Sequence, residues 1–220
     1  MQPLDVSGDW VANLDALGLE LLPAQCDLLT RYLALIAKWN RVYNLTAVRD
    51  MDEMQSLHLL DSLAAVAPLH RHVAGRAARV LDVGSGAGLP GVVLAITHPE
   101  WTVTCVDTVG KKASFIRQVA AELGLRNLRA EHARVETLKT APVDVVTSRA
   151  FASLGDFTAW TRHHLKPGAV WMAMKGRVPT DEMAALPERI SVFHVEQLKV
   201  PGLEAERCLV WMREANSANG

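Results

Sequence analysis

The chain has 220 residues, 50% hydrophobic and 21% charged, with 23 Lys and Arg against 24 Asp and Glu for a formal net charge of -1. That length and apolar fraction suit one compact domain and exclude a disordered chain. The near-zero charge excludes a global field that would draw the protein onto a polyanion, so nucleic-acid binding would need a local patch.

In chain order, Leu28, Tyr32, Leu35, Ile36 and Trp39 draw one apolar stripe on a helix over residues 24–40. A second helix is predicted over about 52–67, with Leu57, Leu60, Ala64 and Ala67 on its apolar side and His58, Asp61 and Ser62 on a polar side; Pro68 is expected to end it. Residues 44–50 between the two read as an ordered loop. From residue 79 strand and helix alternate. A strand at 79–83 runs into a glycine turn and a helix through 92–96, and a strand at 101–106 closes on Asp107. A helix at 112–123 is stopped by Gly124, with strands following at 127–131 and 143–147. A helix at 153–165, a Lys166-Pro167-Gly168 turn and a buried strand at 169–174 complete the alternation. Segments around 190–200 and 208–211 read as an antiparallel pair at the sheet edge.

This pattern predicts an α/β fold, a doubly wound and mostly parallel sheet with helices on both faces. Residues 1–70 are expected to form a helical cap integrated with the domain, 71–214 the core and 215–220 a loose tail. Apolar runs such as Val92 to Ile96 are far short of a membrane span, and the opening MQPLDVSGDW lacks a basic start followed by an apolar stretch, so a cytoplasmic location is expected. Cys26, Cys105 and Cys208 are odd in number and widely spaced without a C-x-x-C pair, which argues against a disulfide framework and a zinc site. His163-His164 also lack partners at metal-ligand spacing, and no metal is expected. The six Trp residues fall mostly in apolar-periodic segments and are expected in the core.

The chemistry concentrates at Gly84-Ser85-Gly86-Ala87-Gly88-Leu89-Pro90-Gly91, directly after the first strand. Glycine is needed there because a side chain would hold a ligand away from the backbone amides, and tight turns often require positive φ. In an open α/β sheet such a turn lies at the carboxyl ends of the strands, where ligands bind. Asp107 closes the next strand and places a carboxylate where a ribose diol can donate to it. A dinucleotide fingerprint is G-x-G-x-x-G, whereas these glycines fall at 84, 86 and 88 and position 89 is Leu. The spacing favours S-adenosyl-L-methionine over a dinucleotide.

The turn and the segments around it resemble one family, the 16S ribosomal RNA guanine-N7 methyltransferases, also called glucose-inhibited division protein B. The matching strings are Lys38-Trp39-Asn40, Tyr43 to Asp50, His58-Leu59-Leu60-Asp61-Ser62, Asp82 to Gly91, Arg134-Val135-Glu136, Ser148 to Ser153 and Lys175-Gly176, within about residues 24–212. The resemblance implies a Rossmann-like class I methyltransferase that methylates N7 of a guanine in the decoding region of small-subunit rRNA. Its expected partner is 16S rRNA or the 30S subunit, and it is expected to act as a monomer. Carried over by position, Gly84 and Leu89 would contact the cofactor at the turn, Val135 and Glu136 would flank its adenine, and Arg149 would reach it from the fourth strand; the turn's spacing adds Gly86 and Gly88 as cofactor-binding candidates. The family often has Ser-Leu after the ribose acid, whereas this chain has Thr108-Val109.

Guanine N7 carries a lone pair and no proton, so positioning rather than a catalytic dyad should dominate. His58 and Asp61 either point into the cleft, touching a guanine edge or orienting the cap, or form a pair on the helix surface. Asn44 and Arg49 either clamp rRNA or fix their loop, and Lys175 is placed for a phosphate or base contact. Arg71, Arg76 and Arg79, or Lys111, Lys112 and Arg117, form either a local RNA patch or an ordinary solvated face. The competing functions are methyl transfer to a small molecule or protein, and nucleotide-dependent oxidoreduction.

Overall fold

The computed structural model describes residues 8–48, 50–149 and 151–215. A short helix α1 (Gly8–Ala16) precedes α2 (Pro23–Tyr43), which starts with Pro23 where no amide hydrogen is needed and ends at Asn44 in the left-handed region, φ +49°. Tyr32, Leu35 and Ile36 of the predicted stripe are buried, together with Leu29 and Leu33.

The second helix departs from its sequence pattern. A single α turn, α3 (Met51–Met54), widens into a π-helical segment at Gln55–Leu60 and returns to α geometry in α4 (Asp61–Leu63). The Asp61 N–H reaches back five residues to the Ser56 carbonyl. Pro68 does not end this helix: it sits in the first turn of α5 (Val66–His72), where its missing N–H costs nothing. The side carrying His58, Asp61 and Ser62 faces inward, and all three are buried. Periodicity reported their common face and not what packs against it.

The sheet follows as β1 (Arg79–Val83), α6 (Gly91–Thr97), β2 (Thr102–Asp107), α7 (Gly110–Leu123), β3 (Leu128–His132), β4 (Val143–Arg149), α8 (Leu154–Thr161), β5 (Leu165–Lys175), α9 (Thr180–Ala184), β6 (Ile190–Leu198) and β7 (Arg207–Glu214). Strand order is β3-β2-β1-β4-β5-β7-β6. The first five strands are parallel, and β7 lies antiparallel between β5 and β6, as the pattern of the last two strands predicts. Lys166-Pro167-Gly168 is not a turn before β5 but a bulge inside it: Val143 and Val145 face Leu165 and Val170, so extra residues loop out of the ladder.

Alternation along the strands feeds two cores. Val80, Val103, Cys105, Val145 and Met172 pack with α2, α6 and α7, whereas Leu81, Val83, Val106, Val146 and Trp171 pack on the opposite face with Leu154 and Phe157 of α8. The N-terminal helices share the first core and are pinned to it by polar contacts. Tyr32 Oη donates to Ala87 O at 2.7 Å, and Gln25 Nε2 donates to the carbonyls of Ile96 and Thr97. The chain leaves β1 to build one side of the sheet and returns beside it as β4, so the carboxyl ends of β1 and β4 flank the topological switch point. No helix among the described residues is long and apolar enough to cross a membrane.

Candidate active site

A cavity of about 500 Å³ opens at this switch point. The turn supplies Gly84, Ser85, Gly86 and Leu89, β4 supplies Arg149 and β5 supplies Lys175. The N-terminal segments add Leu45, Thr46, His58 and Asp61, and the edge hairpin adds Leu198 and Arg207.

The turn is built as the glycines require. Gly84 has φ +66°, and a Cβ there would lie 2.6 Å from Phe151 Cδ2. Gly86 has φ +60°, and a Cβ there would meet no protein atom within 4 Å. Gly86 itself lines the cavity, so glycine at this position leaves free volume next to the backbone. The Gly86 N–H donates to Asp107 Oδ2 at 2.9 Å, and the Val109 N–H donates to Asp107 Oδ1 at 2.8 Å, so this carboxylate braces the turn from below.

Beneath the turn, Asp82 is fully buried. Its Oδ2 accepts the Gly91 N–H at 2.9 Å, while Oδ1 has no partner among the described residues. Burial pushes its pKa up to about 7, against the lowering effect of the Gly91 hydrogen bond and the Arg149 charge.

Above the turn, cap and core are joined by a chain of charged contacts. Arg149 Nη1 donates to Leu57 O at 2.8 Å and to Asp61 Oδ2 at 3.0 Å, and Nη2 lies 3.5 Å from His58 Nδ1. The other Asp61 oxygen accepts from Arg207 Nε at 2.8 Å. His58 Nε2 is 2.6 Å from Thr46 Oγ1, and burial followed by the Arg149 charge lowers its pKa. Lys175 Nζ pairs with Glu182 at 2.9 Å, whose carboxylate also accepts the Leu154 N–H. Among the described residues, Arg149, Arg207 and Lys175 thus pair with two carboxylates, Asp61 and Glu182, which leaves an excess of positive charge at the cavity mouth.

The structure brings Gly84, Gly86, Leu89, Arg149, His58 and Lys175 together around one space. Gly88 lies outside that lining, packed toward Val92, Ile116 and Tyr32. Asp107 supports the turn, Val135 is buried in a 3-10 turn, and Glu136 pairs with Arg134 at 2.8 Å near the surface. Asn44 caps α2 beside the cavity's Leu45 and Thr46, with its N–H on Asn40 O. Arg49 falls outside the described residues. The basic groups offered as a patch are spread over the molecule: Arg71 pairs with Glu196, Arg76 Nε donates to Val73 O, Lys112 lies 3.9 Å from Asp107, and Arg117 Nε donates to Ala130 O. Arg207 and Leu198 escape sequence reasoning, since nothing local marks an edge hairpin as part of a site formed mainly by the parallel strands. Phe151, standing over Gly84, lies inside the Ser148 to Ser153 string and is signalled only by that resemblance.

The strand order and the cavity at its switch point are those of a Rossmann-like fold. Similar folds occur in TrmN from Thermus thermophilus, with 21% identity, TM-score 0.55 and coverage of 69% of this chain and 48% of that one. They also occur in a mutant of MtNAS in complex with S-adenosylmethionine, with 14% identity, TM-score 0.59 and coverage of 87% and 77%. Residues 25–210 match the GidB family, described as rRNA small subunit methyltransferase G, and the chain belongs to that family. The ribosomal RNA small subunit methyltransferase G of Acidovorax sp. (strain JS42) is 64% identical over 207 residues, covering 90% of this chain and 91% of its own. The protein of the same name from Polaromonas sp. (strain JS666 / ATCC BAA-500) is 60% identical over 216 residues, covering 96% and 95%.

Proposed function

We propose that this protein transfers the methyl group of S-adenosyl-L-methionine to N7 of a guanine in 16S rRNA, on free RNA or on the 30S particle, in the cytoplasm and as a monomer. The observation that carries the reading is the free volume beside Gly86 in a cavity whose mouth is cationic.

The residues present suit the cofactor. Gly84, Gly86 and Leu89 would hold its methionine end against backbone. Arg149 and Arg207 each commit only some of their N–H donors to Asp61 and nearby carbonyls, which leaves the others to meet a carboxylate or an RNA phosphate. Asp107, Val135 and Glu136, on the β2 and β3 side of the turn, would receive the adenosine. Bound there, S-adenosyl-L-methionine supplies an electrophilic methyl group on a positively charged sulfur.

Guanine N7 has a lone pair in the ring plane and no proton, so no side chain has to remove one before the new bond forms. The protein's contribution is alignment of the two reactants at roughly 3 to 3.5 Å, worth several kcal/mol of barrier. His58, whose two ring nitrogens face Thr46 and Arg149, would orient the wall of the opening that the base enters rather than act as an acid. Asn44 and Lys175 would contact RNA around the opening, and Arg49, outside the described residues, would contact it as well. To test this, 30S particles from cells lacking the gene are compared with particles from normal cells as acceptors of labelled methyl. Label should enter only the former, and equal labelling of both would count against this substrate.

A further inference from the structure

A second opening lies on the same sheet face as α5 and is not used by the methyl-transfer site. It is a notch of about 330 Å³ lined by Arg71, His72, Phe193, His194, Glu196 and Trp211, with Pro68 behind. Its organising feature is a β-bulge. Val192 and His194 of β6 face Met212 and Trp211, neighbours on β7, so Phe193 is an extra residue without a partner in the ladder.

The bulge leaves the Phe193 ring 39% exposed on the edge strand, with its centroid 6.2 Å from that of His72 and the two planes tilted by 32°. Trp211, only 2% exposed, backs the notch, its ring centroid 4.8 Å from that of His72 with the planes tilted by 32°. Its indole N–H is buried with no hydrogen-bond partner among the described residues. The rim is positive. Arg213 lies 5.2 Å over the Phe193 ring and forms no ion pair among the described residues, and Glu196 is shared between Arg71 and His194.

The notch adjoins the cavity. His194, Glu196 and Leu198 alternate onto one face of β6, and Leu198 already lines the methyl-transfer site, about 7 Å along the strand from Glu196.

We propose that this notch takes an unpaired base of the RNA substrate, stacked on Phe193, and so holds the RNA at a second point beside the cavity. This rests on the RNA reading of the cavity. An exposed aromatic ring flanked by cations suits a base and its phosphate, because every base offers a π-face and the backbone a negative charge. A purely apolar peptide would leave Arg213 without complementary charge, since Arg71 already pairs with Glu196.

The test is equilibrium binding of a dye-labelled, mixed-sequence, single-stranded oligoribonucleotide to the full-length protein, followed by anisotropy. Phe193→Ala should weaken binding about tenfold, Phe193→Trp should restore it, and Phe193→Leu should remain weak. Calorimetry with S-adenosylhomocysteine should give wild-type affinity in all three, which controls for folding. Failure of the wild type to bind the oligonucleotide, equal binding by Phe193→Ala, or full rescue by Leu would overturn the proposal. So would an Ala defect seen on 30S particles and absent on free RNA, which would assign the notch to a ribosomal protein. Absence of methyl transfer to any RNA, with the oligonucleotide series behaving as expected, would instead remove the reading of the cavity and leave the notch standing.

Discussion

Arg149, the last residue of β4, and Asp61, the first residue of α4, form a 3.0 Å ion pair between parts of the chain 88 residues apart. Arg207 closes on the other oxygen of the same carboxylate, so one buried acid ties cap, parallel sheet and edge hairpin together at the mouth of the cavity.

Asp61→Asn should therefore be costly in a way that an exposed ion pair would not be. It leaves two largely buried guanidinium groups facing a neutral amide, and removing one partner of such a cluster costs about 3 kcal/mol. For a chain of this size that lowers Tm by roughly 6 to 12 °C, read by calorimetric unfolding. A shift below 2 °C would mean that the cluster is solvated in solution.

Gly86→Val should abolish binding of S-adenosylhomocysteine, measured by calorimetry, while costing only about 1 to 2 kcal/mol of stability from its left-handed backbone. Gly84→Val should lose both binding and more stability, because its side chain also collides with Phe151. Unchanged affinity in Gly86→Val would show that the ligand lies elsewhere.

Tyr32→Phe removes the hydrogen bond from α2 to Ala87 O and leaves that carbonyl without this donor. A loss of about 1 to 2 kcal/mol is expected, together with weaker cofactor affinity, since Ala87 belongs to the turn that lines the cavity. Denaturant unfolding and calorimetry report the two effects separately. A stability loss with wild-type cofactor affinity would show that α2 does not shape the turn.

Acid should destabilise the protein through His98, which is stacked on Trp101 at 3.8 Å and hydrogen-bonded to His70 and to Thr97. Burial lowers its pKa to about 4, against about 6.5 in the unfolded chain. Between those values the unfolded state binds the extra proton, so this contribution is complete above pH 6.5 and is lost as pH falls toward 4. Unfolding free energy should drop by about 2 kcal/mol from this residue between pH 7.5 and pH 5. The drop should be correspondingly smaller in His98→Gln. A parallel pH profile in the variant would contradict the assignment.

The sequence discloses more of the sheet than of the site. Strands such as β1 and β2 are legible because both faces are buried and their β-branched runs stop at turns. Gly84, Gly86 and Asp107 are legible because backbone geometry limits what can stand there. The π-helical segment at 55–60 is not, since nothing in local periodicity distinguishes it from α, and its inward turn decides where His58 and Asp61 point. Arg207 is hidden for a related reason: its role comes from a hairpin folding back beside β5, a long-range fact with no local sign. The bulge at Lys166-Pro167-Gly168 shows the converse, where turn chemistry is read correctly and only its place within the strand is lost.

The most direct test is nucleoside analysis by mass spectrometry of 16S rRNA, after 30S particles from a gene-deleted strain are incubated with the protein and isotope-labelled S-adenosyl-L-methionine. The account predicts label in 7-methylguanosine at a single position in the RNA. Label on another atom or another nucleoside, or an RNA left unlabelled while the protein binds S-adenosylhomocysteine, would contradict it.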